Sequence, residues 1–259
     1  GTKVVLSKVQ TSDNARYPST KEEGKQVLAK LNSKIAELQE LLYAEKKHKL
    51  LIVLQAMDAG GKDGTIKNVF RNMDARGLRV ASFNKPTDTE LARDYLWRVH
   101  AEVPKKGECV IFNRSHYEDI LAVRVRDIAP ETVWSKRYDH IVNFEKMLSD
   151  EGTLILKFFL HISKDEQKKR LQSRLNDSSK HWKLHPDDFN DRALWPKFIQ
   201  AYEDVLTRTS SHHAPWYIIP ADLKWQRNLA IAEITIKALK DLGMQTPLPD
   251  FDPSSVTLD

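Results

Sequence analysis

The stretch from Gln55 to Thr65 reads Gln-Ala-Met-Asp-Ala-Gly-Gly-Lys-Asp-Gly-Thr and follows a short apolar run, Leu50 to Leu54. Its residue types and order suit the handling of phosphate. Gly60, Gly61 and Gly64 let backbone N–H groups turn toward phosphate oxygens, a helix starting at Thr65 adds positive potential, and Lys62 neutralises a transferring group. The strict phosphate-loop pattern fails twice: Ala56 stands where its first glycine belongs, and Asp63 where Ser or Thr follows the lysine. A plain glycine-rich turn accounts for Gly60 and Gly61 but leaves Lys62 unexplained. Asp58 is the odd member, because a carboxylate among phosphate ligands repels them unless a cation lies between. Mg²⁺ is the natural mediator, with Mn²⁺ able to substitute; a turn-forming or capping aspartate is the plain alternative.

A second polar cluster, Asn113-Arg114-Ser115-His116-Tyr117-Glu118-Asp119, follows the apolar run Cys109 to Phe112. Arg114 offers a planar fork of donors to phosphate oxygens, while Asn113 and Glu118 can hold a metal, its waters or an attacking group. A buried Arg114–Glu118 ion pair is the alternative. Ser115 beside His116 does not make a nucleophile and base, since adjacent residues at a strand end point apart. Arg93 and Arg98 lie on a helical stretch, five apart and so not strictly on one face; they are either ligands for an acceptor phosphate or surface arginines. Lys67 and Arg71, four apart on the helix after the phosphate loop, are spaced for an extended anion. Between Lys164 and Lys183, seven Lys and Arg residues, Arg170 and Arg174 among them, face three carboxylates. That excess suits either a polyanion surface or a solvated helix face.

The elements that must position these groups are legible from periodicity. Thr20 and Glu23 form a capping box, and Leu28, Leu31, Ile35, Leu38 and Leu42 then recur at helical spacing. Short apolar strands are expected at 50–54, 78–83, 109–112, 154–160 and 216–219, separated by helices at 65–73, 130–148 and 225–242. Strand and helix alternate, which predicts an α/β fold: a three-layer α/β/α sandwich around a five-stranded parallel sheet, with ligands at the carboxyl ends of the strands. One unit over 1–259 is expected, with a loose arm at 1–20, a lid near 163–190 and a surface tail at 247–259.

Of the 259 residues, 41% are apolar and 30% charged, which disfavours collagen, long disorder and a coiled-coil rod. Apolar runs fall far below the roughly 18 residues that a membrane span needs. The lone Cys109 allows no intrachain disulfide, which fits a cytoplasmic protein, and the net charge of +5 matters only where it clusters.

The strings QAMDAGGKDGT, ASFNKPT, ELARDYLWR, IFNRSHYED, LKFFLHISKDEQKKR and APWYIIPA, in this order and spacing, resemble the polyphosphate kinase 2 family over roughly Lys21 to Met244. The resemblance implies a P-loop kinase core with a helical lid and phosphoryl transfer between inorganic polyphosphate and an adenine or guanine nucleotide with Mg²⁺. It implies that Asp58, Lys62, Asn113, Arg114 and Glu118 serve the chemistry, with Asp58 at the metal. Gly60, Gly61, Gly64, Thr65, Lys67, Arg71, Arg170, Arg174 and Lys183 would bind phosphate, and Arg93 and Arg98 the nucleotide. Many members carry Asp where this chain has Asn113; the Asn form is similar to the subgroup accepting both mono- and diphosphates. A homo-oligomer is expected, with neither nucleic acid nor membrane as partner. The competing readings are an ATP-dependent kinase of the thymidylate kinase type and, less well supported, a basic nucleic-acid-binding module.

Overall fold

The computed structural model describes residues 2–17, 20–253 and 256; Pro18 in the arm and part of the tail expected beyond Pro253 lie outside them. In chain order the elements are α1 (Lys21–Glu45), β1 (Lys49–Ala56), α2 (Lys62–Val69), β2 (Leu78–Ser82), α3 (Asp88–Leu91), α4 (Trp97–His100), β3 (Cys109–Asn113) and α5 (Glu118–Val125). Then follow α6 (Glu131–Trp134), α7 (Arg137–Asp150), β4 (Thr153–His161), α8 (Lys164–Leu175), α9 (Pro186–Ala193), α10 (Trp195–Thr209), β5 (Trp216–Pro220) and α11 (Lys224–Asp241). The five strands form one parallel sheet in the order β2-β3-β1-β4-β5. The chain leaves β1 first toward β2 and later toward β4, so the crevice beyond β1 is the topological switch point where such sheets bind ligands.

Leu50 to Leu54 are wholly buried, as a central parallel strand covered on both faces requires. Helices α1, α2 and α11 pack together on one side of the sheet, and α5, α7 and α10 on the other. The Thr20–Glu23 capping box forms as expected, and Ile35 and Leu42 of the apolar stripe are fully buried. Two polar residues on the same helix, Asn32 and Gln39, are also buried. Asn32 Nδ2 donates to the Asn68 carbonyl at 2.8 Å, and Gln39 Oε1 accepts from the Asp74 N–H at 2.9 Å, which fixes the far end of α2.

Several expectations are corrected. The helix after the phosphate loop starts at Lys62 and ends at Val69, because a turn in which the Met73 N–H donates to Phe70 stops it; Arg71 therefore lies beyond the helix and does not pair with Lys67 along it. The helix expected at 130–148 is broken into α6 and α7. The N-terminal arm is not loose. Leu6 is buried, its N–H donates to Glu203 Oε1 at 2.7 Å, and the Tyr17 hydroxyl donates to Glu233 at 2.8 Å. Two buried anchors eleven residues apart, Leu6 and Tyr17, make no periodicity, so this anchoring has no signature in pattern. No helix among the described residues is long and apolar enough to cross a membrane.

A buried ionic group lies in the core between β4 and α7. The Lys157 ammonium, wholly enclosed, donates to Glu145 Oε2 at 2.6 Å, to the Tyr117 hydroxyl at 2.8 Å and to the Thr209 carbonyl at 2.8 Å. Glu145 Oε1 also meets Tyr117 at 2.8 Å and His116 Nε2 at 3.2 Å, so His116 is a core residue and no partner for Ser115. Burial alone would raise the Glu145 pKa, but Lys157 and His116 hold it below the usual range. Breaking such a group costs more than replacing it. Glu145→Ala should lower stability by about 3–5 kcal/mol in denaturant unfolding, whereas Glu145→Leu combined with Lys157→Met should cost less than Glu145→Ala alone.

Candidate active site

The phosphate loop is shaped by contacts that exclude side chains. A Cβ on Gly60 would lie 2.5 Å from the Ala56 Cβ and 2.7 Å from the Met57 carbonyl oxygen, and Gly61 sits at φ +108° as the N-cap of α2. Ala56, where the strict pattern has glycine, is thus the residue against which Gly60 packs. The Thr65 hydroxyl is buried and donates to the Gly61 carbonyl at 3.1 Å, which braces the loop from inside.

Lys62 folds back over the loop, its Nζ donating to the Ala56 carbonyl at 3.3 Å. Burial lowers its pKa and Arg114 lowers it further, against the pull of Asp58, Glu118 and Asp63. Strands β1 and β3 are paired with Leu54 opposite Asn113, so the next residue, Arg114, enters the same crevice; its N–H donates to the Leu54 carbonyl at 3.2 Å. Arg114 adopts φ +63°, a costly value for a residue other than glycine and a kind of strain that clusters at functional sites. Its Nη2 meets Asp58 Oδ1 at 3.0 Å, so the ion pair expected as an alternative with Glu118 forms with Asp58 instead. Glu118, at the first turn of α5, still acts on Arg114 through space and is the largest of the influences raising its pKa. Asn113 Nδ2 donates to Asp63 Oδ1 at 2.8 Å. The structure therefore brings Asp58, Lys62, Asn113, Arg114 and Glu118 together at the switch point.

The segment expected as a lid folds as α8, a 3-10 turn over Ser178–Lys183, and α9. Arg170 is corrected: it is not a free phosphate ligand. Its guanidinium is buried and donates to the carbonyls of Ala59 (3.1 Å), Gly60 (2.9 Å), Ala221 (2.6 Å) and Asp222 (3.1 Å) and to Glu166 (2.8 Å). Arg174 approaches Asp188 at 3.7 Å and the Lys183 carbonyl at 3.5 Å, so it braces the lid. Lys183 is exposed beside the Trp182 ring, and Lys67, Lys168 and Lys169 are also exposed.

Counting net charge over this region conceals the acids of α9. Arg126 holds Asp191 through two bonds of 3.0 and 2.6 Å and Asp187 at 3.3 Å. Burial raises the pKa of Asp188 and of Asp191, and the nearby Asp58 raises both further. The run Asp187, Asp188, Asp191 behind Pro186 was visible as an acidic helix start, but nothing in spacing placed it over Asp58. These oxygens are hard donors that suit Mg²⁺; among the described residues no ready-made group of three metal-ligating side chains exists.

Arg93 and Arg98 line a pocket of about 210 Å³ with Tyr95, Asp119 and Arg137. Arg93 lies over the Trp97 ring, and Arg98 donates to the Asn84 carbonyl at 2.8 Å and faces Asp119 at 3.7 Å. Arg137 stacks on Tyr95 and approaches the other Asp119 oxygen at 3.8 Å. The Tyr95 hydroxyl and Asp119 Oδ2 are buried without a hydrogen bond, so polar capacity is left for a ligand. Arg137 escaped sequence reasoning because it lies on α7, far along the chain from the other arginines.

A phosphate loop on the central strand, an arginine fork from the neighbouring strand and a helical segment over both define a phosphotransferase core of the P-loop kinase class. The sequence model of the family Polyphosphate kinase 2 (PPK2) matches residues 18–247, and the chain belongs to the polyphosphate kinase 2 family. It is 54% identical over 254 residues to the AMP/ADP-polyphosphate phosphotransferase of Meiothermus ruber, spanning 98% of this chain and 95% of that one. It is 40% identical over 259 residues to the ADP-polyphosphate phosphotransferase of Rhodopseudomonas palustris, spanning 95% and 89%. The crystal structure of Polyphosphate Kinase 2 from Arthrobacter aurescens superposes with a TM-score of 0.95 at 40% identity, over 98% of this chain and 92% of that one.

Two kinds of variant should separate chemistry from scaffolding. Lys62→Ala and Arg114→Ala should each cut turnover on the order of 10³-fold or more with little change in thermal unfolding. Arg170→Ala should lower the melting temperature clearly, because it strands four carbonyls and Glu166. An Arg170→Ala variant that melted like the parent would return Arg170 to the phosphate-binding set.

Proposed function

We propose that this chain moves the terminal phosphoryl group of inorganic polyphosphate to AMP and to ADP, reversibly and with Mg²⁺. The observation that carries the reading is the meeting of Lys62, Arg114 and Asp58 at the crevice beyond β1, in a chain that offers two further surfaces for anions. One is the pocket of Arg98, Arg137 and the unbonded Tyr95 hydroxyl, and the other the exposed Lys168 and Lys169 of α8. The likeness to the Meiothermus ruber AMP/ADP-polyphosphate phosphotransferase over nearly the whole chain supports the same substrates, and Asn113 fits acceptance of both acceptors.

In the reaction, an oxygen of the acceptor's phosphate attacks the terminal phosphorus of the donor. The new P–O bond forms as the bond to the penultimate phosphate breaks, and the chain leaves one phosphate shorter. Arg98 and Arg137 orient the acceptor's phosphate. Lys62 and Arg114 face the charge that spreads over the transferring oxygens, which is where most catalysis of phosphoryl transfer arises. Asp58, with Asp188 and Asp191 beside it, would hold Mg²⁺, which neutralises phosphate charge that these carboxylates would otherwise repel. Arg114 gives up part of its pairing with Asp58 when phosphate arrives, so its fork becomes available only with substrate.

Incubation with AMP, polyphosphate and Mg²⁺, without ATP, should produce ADP and then ATP by nucleotide chromatography, and chelation by EDTA should stop it. Conversion of ADP alone would restrict the acceptor range. Phosphorylation of a monophosphate by ATP, with polyphosphate inert, would replace the reading by an ATP-dependent nucleotide kinase. On the donor side, Lys168, Lys169 and Lys183 changed together to Gln should raise the KM for polyphosphate more than that for AMP. They should also flatten its dependence on ionic strength, since exposed charges are screened within about 8 Å at physiological salt.

A further inference from the structure

Gln55 is the last residue but one of β1 and wholly buried, in a strand whose residues from Leu50 to Leu54 are all apolar. A leucine or methionine would fill its place without a polar atom. The amide is also only half satisfied: Nε2 donates to the Ser115 hydroxyl at 3.0 Å, while Oε1 is buried without a hydrogen bond. An orphaned buried acceptor carries the full cost of its lost hydration, so stability alone does not account for a glutamine here. Its partner Ser115 lies next to Arg114 in the chain.

Arg114 needs support of that kind. Its φ of +63° persists only where the surroundings over-determine it. The restraint on its side chain is slight, because Nη2 bonds to Asp58 Oδ1 at 3.0 Å and that partner is partly given up when phosphate arrives. The backbone is held firmly instead. The Arg114 N–H donates to the Leu54 carbonyl at 3.2 Å, and the next residue, Ser115, is wholly enclosed. The Ser115 hydroxyl accepts from Gln55 and from the Tyr117 N–H at 3.2 Å, and the Ser115 carbonyl accepts from the Glu118 N–H at 3.0 Å. Tyr117 is anchored in turn by Lys157 and Glu145. Within this frame, Gln55 is the contact that ties Ser115 sideways to the central strand from which the phosphate loop departs.

We infer that Gln55 is a positioning residue for the transfer: through the Ser115 hydroxyl it holds the backbone at position 114 in its strained form and so sets where the Arg114 fork stands against the transferring phosphoryl group. The inference rests on the role given to Arg114 above. A fork fixed from its backbone stays in place after Asp58 is exchanged for phosphate, and charge aimed in advance at the transition state acts without reorganisation. Arg114 serves the transition state, while the acceptor pocket and the lysines of α8 lie elsewhere. Loosening it should therefore lower kcat and leave KM unchanged.

The test uses Gln55→Met, which keeps the bulk and removes the amide. Its melting temperature should match or exceed the parent's, since an unbonded buried oxygen is lost. Its kcat for phosphorylation of AMP by polyphosphate should fall on the order of tenfold to a hundredfold, as a displacement of about 1 Å at a reacting centre causes, with KM for AMP and for polyphosphate unchanged. In an Arg114→Ala background the same substitution should cost nothing further. A parental kcat, a rise in KM that accounts for the loss, or a loss of the same size in the Arg114→Ala background would overturn the inference. Should Gln55→Met not fold, Ser115→Ala decides by the same measurements. If the parent transfers no phosphoryl group from polyphosphate, the proposed function itself fails, and the crystal structure of Gln55→Met judges this inference: Arg114 displaced from Asp58 supports it, and Arg114 in place refutes it. If the parent is active and Gln55→Met turns over as fast, only this inference fails.

Discussion

The Arg170 guanidinium is the interaction on which the site depends. It joins three segments distant in sequence: the phosphate loop through Ala59 and Gly60, the turn after β5 through Ala221 and Asp222, and its own helix through Glu166. A peptide plane is rigid and trans, so a carbonyl turned inward sends the following N–H outward. With the Gly60 carbonyl drawn to Arg170, the Gly61 N–H faces away from it. The loop thus presents donors to a phosphate because its acceptors are occupied from behind. A polar group this buried is tolerable because its donors are so fully used.

Charge in the site is arranged as a set of replaceable pairs. Asp58 neutralises Arg114, Asp188 lies near Arg174, and Asp187 and Asp191 neutralise Arg126. Each carboxylate occupies a cation that a phosphate chain could occupy in its place, and Asp188 and Asp191 both experience Asp58 as an unfavourable neighbour. Opposed carboxylates with raised pKa values, set among arginines, are suited to taking up a divalent cation as the phosphates take over the arginines. Lys62 is different, since it bonds to a backbone carbonyl and keeps its charge uncommitted. Among the described residues no carboxylate pairs with that lysine, which is what a transferring phosphoryl group requires.

The scaffold was largely legible in the sequence, and the reason is periodicity. The strands were largely apolar segments of strand length, with Arg79 in β2 and Lys157 in β4 as interruptions, and β1 to β5 fall where alternation with helices put them, within a few residues at each end. The residues of the phosphate loop and of the Asn113 cluster were legible because each follows a buried strand at its carboxyl end. Partnership was not legible. Arg170 and Arg174 look the same on a helical wheel, and only the fold turns one toward carbonyls and the other toward Asp188. Arg126 and Arg137 had no motif around them, and each takes its place from helix packing, a long-range property. The N-terminal arm was misjudged for a related reason, since Leu6 and Tyr17 are single anchors with no pattern to announce them.

Two departures, Asp63 from the strict phosphate-loop pattern and Asn113 from the aspartate that many family members carry, look like losses when read separately. Asp63 removes a hydroxyl beside Lys62, and Asn113 removes a carboxylate from the end of β3. In space they are one feature, because Asn113 Nδ2 donates to Asp63 Oδ1 at 2.8 Å. An aspartate at 113 would set two carboxylates at that distance and would require a cation or a proton between them; the amide supplies a donor instead. The pair therefore links the first turn of α2 to the end of β3 without a metal and leaves Asp58 as the one loop carboxylate turned toward Arg114. Neutrality at position 113 also leaves Lys62 with fewer fixed anions around it, so more of its positive charge is available to a substrate phosphate. Positions 63 and 113, each unusual when read alone, are thus the ones that tie the two halves of the site together.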